Sequence, residues 1–125
     1  MPRKPKKSPR EILIETIVQA MEDKKGKDLS VLDFTKLTGR VCDSFVICHG
    51  NSRTQVEALA DNVTGEVKKS TGLNHWHKEG FENAEWILID YSDVVVHIFQ
   101  QERRKFYNLE QLWADAEITR ISNHE

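Results

Sequence analysis

The chain has 125 residues, 38% hydrophobic and 30% charged, which is enough for one globular domain and too few for two. Its longest apolar runs, "WILI" at 86–89 and "VVV" at 94–96, fall far short of the ~20 residues that a membrane-spanning helix needs. The formal net charge of −2 conceals an asymmetry: residues 1–10 hold five cations and no acid, leaving thirteen cations against twenty acids, a net of −7, over the rest. An acidic body is poorly suited to wrapping bare nucleic acid and better suited to a basic protein partner.

The opening "MPRKPKKSPR" is basic and rich in proline, and it lacks the apolar segment of a secretion signal. It predicts a disordered basic tail over 1–8, a single α/β domain over 9–118 and a flexible C-terminus over 119–125. Ser8-Pro9-Arg10-Glu11 has the pattern of a helix start, with Ser8 as N-cap and Pro9 as first helical residue. Leu13, Ile14, Ile17, Val18 and Met21 then keep helical spacing as far as the "KKGK" stop at 24–27.

"DLSVLDF" predicts a strand with Leu29 and Val31 on one side. "VCDSFVICHG" at 41–50 predicts a second, with Asp43, Phe45 and Ile47 pointing one way. Strand parity puts Cys42 and Cys48 on its other side, ~20 Å apart and beyond disulfide reach, so both are expected as reduced thiols. Ser52 with Gln55 reads as a capping box. The helix it opens carries Val56, Leu59, Ala60, Val63 and Val67 on one stripe, with Gly72 as its left-handed end.

After an ambiguous "LNHWHKEG" comes a hairpin. A two-residue turn at Ser92-Asp93 makes paired residue numbers sum to 185. Ile87, Ile89, Tyr91, Val94, Val96 and Ile98 then share an apolar face, while Trp86, Leu88, Asp90, Val95, His97 and Phe99 share a mixed one. The last segment, "ERRKFYNLEQLWADAEI", predicts two helical pieces meeting near Tyr107-Asn108, with Leu109, Leu112 and Trp113 on one side of the second. The whole predicts an α/β fold, a mixed sheet of about five strands flanked by helices.

Several motifs invite chemistry. On the mixed face Asp90 and His97 are diagonal neighbours, close enough for their side chains to interact, but no nucleophile shares the face, so no catalytic residue is assigned. His75 and His77 offer two imidazoles, and two ligands do not close a metal site. Gly50-Asn51-Ser52 at a helix start could hold an anion, although helix capping suffices to explain it. The aromatic side chains are more informative: Trp86 and Phe99 beside a few ionisable groups, with Tyr107 and Trp113 soon after, form the kind of set that protein interfaces concentrate at their centres.

An ordered set of positions resembles the Iojap-like ribosomal silencing factors. It runs through Asp43, Phe45 and Ile47, then Gly50-Asn51-Ser52-Arg53 and Glu79-Gly80. It continues through Trp86, Asp90-Tyr91, Val96-His97 and Phe99 to Tyr107, Leu109-Glu110 and Leu112-Trp113. Ser92 departs from the pattern, standing where the family usually has glycine. The resemblance implies a nucleotidyltransferase-like topology and a cytoplasmic, non-enzymatic protein with no cofactor. Such factors bind the large ribosomal subunit through ribosomal protein number fourteen, block joining of the small subunit and repress translation under nutrient limitation. They are often dimers when free. The partner-reading face would then be Trp86, Leu88, Asp90 and His97, extended by Tyr91 and Tyr107. Two other readings are a nucleotidyltransferase-like nucleotide- or metal-binding protein and a large-subunit assembly factor touching ribosomal RNA through the basic tail. Against the former, the chain has no Asp-x-Asp pair to hold metal ions.

Overall fold

A computed structural model describes residues 7–40 and 42–121. The basic stretch before Lys7, Val41 and residues 122–125 lie outside the described residues. Helix α1 (Pro9–Asp23) starts as its sequence dictates: the Ser8 hydroxyl accepts the Glu11 N–H at 3.1 Å and Pro9 occupies the first turn. Strands β1 (Lys27–Asp33) and β2 (Ser44–Gly50) follow. Helix α2 (Arg53–Thr71) is capped by Ser52, whose hydroxyl accepts the Gln55 N–H at 3.1 Å, and ends on Gly72 at φ 75°. Then come β3 (His77–Glu79), β4 (Trp86–Asp90), β5 (Val94–Gln100), α3 (Gln101–Tyr107), α4 (Leu109–Leu112) and β6 (Glu117–Arg120).

The six strands form one sheet in the order β3-β4-β5-β2-β1-β6. Only β2 and β5 run parallel; every other neighbouring pair is antiparallel. All seven residues of β2 are buried, because it lies between two strands and both of its faces are covered. The β4–β5 pairing joins Trp86 to Phe99, Leu88 to His97 and Asp90 to Val95, the register that the Ser92-Asp93 turn predicts.

Helices α1 and α2 cover one face of the sheet with an aliphatic core. The stripe Val56, Leu59, Ala60, Val63 and Val67 is fully buried against Val46, Cys48, Ile87, Ile89, Val96 and Ile98. Each such Val, Leu or Ile contributes about 1.5–3 kcal/mol by leaving water. The opposite face carries a smaller, aromatic core built from Leu32, Phe34, Phe45, Ile47, Phe99 and Leu109.

Three local expectations change. Cys42 and Cys48 do not share a face: β2 begins only at Ser44, so Cys42 sits in the preceding bend and joins the aromatic core, while Cys48 joins the aliphatic one. Both are free and buried, and burial raises their thiols to about 11 and about 12. The final helix stops at Leu112, after four residues, and leaves Leu112 69% exposed. Beyond a turn, Glu117-Ile118-Thr119-Arg120 forms a sixth strand along β1, two residues past the domain end read from the sequence. Its β-branched Ile118-Thr119 step suits a strand better than a helix.

Of the turn residues with left-handed backbone, Gly80 and Ser92 bracket strand β4. Gly80 has φ 90°, and a Cβ there would run into the carbonyl of Trp86, 2.9 Å from its carbon. Ser92 has φ 75°, a conformation that glycine adopts without strain. Opposite effects are expected in urea denaturation: Gly80→Ala should cost about 2 kcal/mol or more, and Ser92→Gly should gain up to about 1 kcal/mol. A neutral Gly80→Ala would show that the β3–β4 loop can back away from Trp86.

Candidate functional site

The sheet face opposite α1 and α2 is only partly covered. Trp86, projecting from β4, stacks on Phe99 with ring centroids 5.0 Å apart and planes at 25°. Tyr107, at the end of α3, leans on the same indole at 4.6 Å. The Trp86 Nε1–H donates to His97 Nδ1 at 3.0 Å, and the His97 ring meets Phe45 edge-on at 4.4 Å. Phe45 continues to Phe34 at 4.8 Å, and Phe34 to Trp113 at 5.3 Å. The result is one aromatic ridge running from Tyr107 to Trp113.

Solvent reaches parts of this ridge. Trp86, Leu88, Asp90 and Val95 are half-buried, and Tyr107 is 44% exposed. Phe106, at 69%, stands beside Tyr107 with rings 5.1 Å apart. Large apolar groups left this open at one end of a packed ridge are the usual composition of a docking surface.

Of the six residues assigned from the sequence, the structure gathers Trp86, Leu88, Asp90 and Tyr107 on this face. His97 lies on the same side but beneath it, 3% exposed, and so acts as a support for Trp86. Tyr91 belongs to the other face, packed in the aliphatic core with its hydroxyl buried and without a partner. Burial raises its phenol to about 12. Nor do Asp90 and His97 interact: the Asp90 carboxylate accepts the Ser92 N–H at 2.6 Å, holding the hairpin turn, while His97 turns to the indole. With the Asp90 carboxylate taken by the turn backbone and His97 Nδ1 by the indole, the diagonal pairing does not form. Sequence reading does not single out Phe106, and it groups Leu112 with the buried Leu109, because α3 and α4 are too short for periodicity to separate buried from exposed sides.

Helix α3 is held in place by a buried cation. Arg104, 8% exposed, donates to Lys27 O (3.2 Å), His49 Nδ1 (3.0 Å), Ser30 Oγ (3.3 Å) and the Glu110 carboxylate (3.2 Å). These bonds fasten α3 to β1, β2 and α4. Asn108, at φ 46°, makes the corner between the two helices. Tyr107 thereby reaches Trp86. The paired histidines do not extend this site: His77 Nε2 lies 2.7 Å from Glu79, and among the described residues no group of three or more His, Cys, Asp or Glu could hold a metal ion.

The family described as "Ribosomal silencing factor during starvation" matches residues 5–125. A ribosomal silencing factor RsfS from Halalkalibacterium halodurans is 42% identical over 104 residues, covering 83% of this chain and 87% of that one. The Bacillus subtilis factor of the same name is 40% identical over 106 residues, covering 85% and 88%. A crystal structure from Chromobacterium violaceum superposes with a TM-score of 0.77 at 38% identity, covering 82% of this chain and 84% of that one. The six-stranded sheet with one helix-covered face and one aromatic face is an α/β domain of the kind these relatives share over most of its length. The chain belongs to the ribosomal silencing factor family.

Burial of His97 pushes its pKa down to about 3, and its acceptor role toward Trp86 also requires a neutral ring. A folded-state value below the ordinary 6.5 makes this contribution complete above pH 6.5 and lost as pH falls from 6.5 toward 3. His97→Gln, which keeps an acceptor but cannot titrate, should show a stability slope over pH 6.5–4 shallower than the parent's by about 1.4 kcal/mol per pH unit at most. Equal slopes in urea titrations would mean that the ring is solvated.

Proposed function

We propose that this chain silences ribosomes by docking its aromatic face on the large subunit and blocking the small subunit's approach, so repressing translation when nutrients are limiting. The reading extends to this chain the activity in its relatives' names. The observation that carries it is the half-open ridge of Trp86, Leu88, Asp90 and Tyr107, with Phe106 exposed beside it, on a body of net charge −7. A basic ribosomal protein at the intersubunit surface, number fourteen in the large subunit, has the chemistry to fit. Aromatic anchors would supply the affinity, and Asp90 would meet a cation at the rim. His97 enters only through Trp86, and Tyr91 through packing beneath the hairpin. The action is steric and needs no bond to be made or broken, so the protein is not an enzyme and works in the cytoplasm without a cofactor. A free chain would cover part of the same apolar patch by pairing with a second copy.

Sedimentation of large subunits with the protein, at physiological salt and magnesium, tests this reading. The parent should travel with the large subunit and lower the yield of joined ribosomes. Asp90→Asn keeps the oxygen that holds the Ser92 N–H and should melt within about 1 kcal/mol of the parent while binding more weakly. Asp90→Arg and Tyr107→Ala should each lose tenfold or more in affinity, about 1.4 kcal/mol. Full binding by both, with loss only when residues 1–8 are deleted, would favour ribosomal RNA contact through the tail instead.

A further inference from the structure

The parallel strands β2 and β5 end side by side, at His49-Gly50 and Gln100, and the chain leaves them in opposite directions. From β2 it enters α2 on the aliphatic face; from β5 it enters α3 on the aromatic face. Strand β6 is antiparallel to β1 and therefore also delivers its carboxyl end, at Arg120, to this edge of the sheet. In α/β sheets a crevice opens where neighbouring parallel strands part in this way, and ligands bind there. Here the crevice is a cleft of about 290 Å³, away from the aromatic ridge and near the lower end of small-molecule sites.

Its walls have a definite chemistry. Arg104 and His49 form the floor, with Gln101, Lys105 and Arg120 around the opening and Glu110 at one side. Burial first, and then the Arg104 charge, hold His49 below its ordinary pKa, so it is neutral. Because its Nδ1 accepts from Arg104, its proton sits on Nε2, which makes the ring a donor. Three cations stand against two carboxylates, Asp28 and Glu110, so the cleft is locally positive on an otherwise acidic body. The Glu110 carboxylate uses Oε2 for Arg104, with Arg120 at 4.0 Å, while Oε1 is buried without a hydrogen-bond partner.

We infer that this cleft binds a small phosphate ester carrying a hydroxyl group. The phosphate would lie toward Lys105 and Arg120, and the His49 Nε2–H would donate to a sugar hydroxyl. Sugar phosphates and mononucleotides share this chemistry, and the volume admits the former fully and the latter with its base outside. The site is distinct from the proposed ribosome-docking face, so either can fail without the other.

Amide shifts of the full chain, recorded at low salt, test the inference with three probes: inorganic phosphate, ribose 5-phosphate and adenosine 5′-monophosphate. Ribose 5-phosphate should move the amides of Asp28, His49, Lys105, Glu110 and Arg120 saturably, with at least fivefold tighter binding than inorganic phosphate. Equal affinity for the nucleotide assigns the sugar phosphate as the recognised part, and tighter nucleotide binding adds the base. Lys105 and Arg120 are exposed, so Lys105→Ala/Arg120→Ala should leave the melting temperature in place and weaken binding tenfold or more. Lys69→Ala, on α2, should change nothing. No saturable shift up to about 10 mM, where a Kd of about 1 mM would be plain, overturns the site. Shifts that persist in the double variant, or equal binding of phosphate and ester, also overturn it.

Discussion

The parallel pairing of β2 with β5 is the constraint from which the rest follows. Seven residue pairs, Ser44–Val94 through Gly50–Gln100, join segments fifty residues apart at the centre of the sheet. An antiparallel partner could have been reached through a short turn, whereas a parallel one requires a long excursion. Helix α2, β3 and β4 make that excursion. It deposits one long helix on one face and adds two strands to one side of the sheet. Since both central strands end at the same edge, their following helices must separate, and each takes a different face.

The two faces differ in chemistry as well as in cover. The helix-covered side is aliphatic and closes completely, with Ile17, Leu59, Ile87 and Ile98 fully out of water. The other side uses rings that carry polar atoms, and these restrict how the rings pack. Trp86 has one indole N–H, His97 one acceptor nitrogen, and each satisfies the other. Arg104 is the analogous device for α3: four acceptors from three elements converge on one guanidinium. Removing one partner from such a buried ionic set typically costs about 3–5 kcal/mol, so α3 is fixed rather than loosely laid down.

Much of this was legible in the sequence, because it rests on local periodicity. The α2 stripe needed only 3.6-residue spacing, and the hairpin register only the parity of apolar residues around Ser92-Asp93. The resemblance through Trp86, Asp90 and Tyr107 carried the family. What escaped depends on contacts distant along the chain or on where an element starts. Parity misplaced Cys42 because β2 begins two residues later. Asp90 and His97 have correct backbone neighbours and still choose other partners. Tyr91 followed its motif into the candidate face, although its own parity put it in the opposite core. Arg104 bonds to residues 55, 74 and 77 positions away, and no spacing rule announces that. Strand β6 was split between the end of the helical segment and the flexible C-terminus, because its short Ile118-Thr119 step is outweighed by the helix-favouring residues before it.

Strand β6 has a consequence for how the chain is made. Its partner β1 is synthesised early, and Asp33 then waits 84 residues for Glu117. At roughly 5–20 residues per second that interval lasts roughly 4–17 s. Throughout it, the outer edge of β1 presents unpaired backbone groups that any other strand could capture. Charged residues bracket the strand, with Lys27 and Asp28 at one end and Asp33 at the other, and Asp28 breaks the regular ladder at φ 49°. A nascent chain needs that protection longest at this edge, and the completed protein retains it beside the strand that finally arrives.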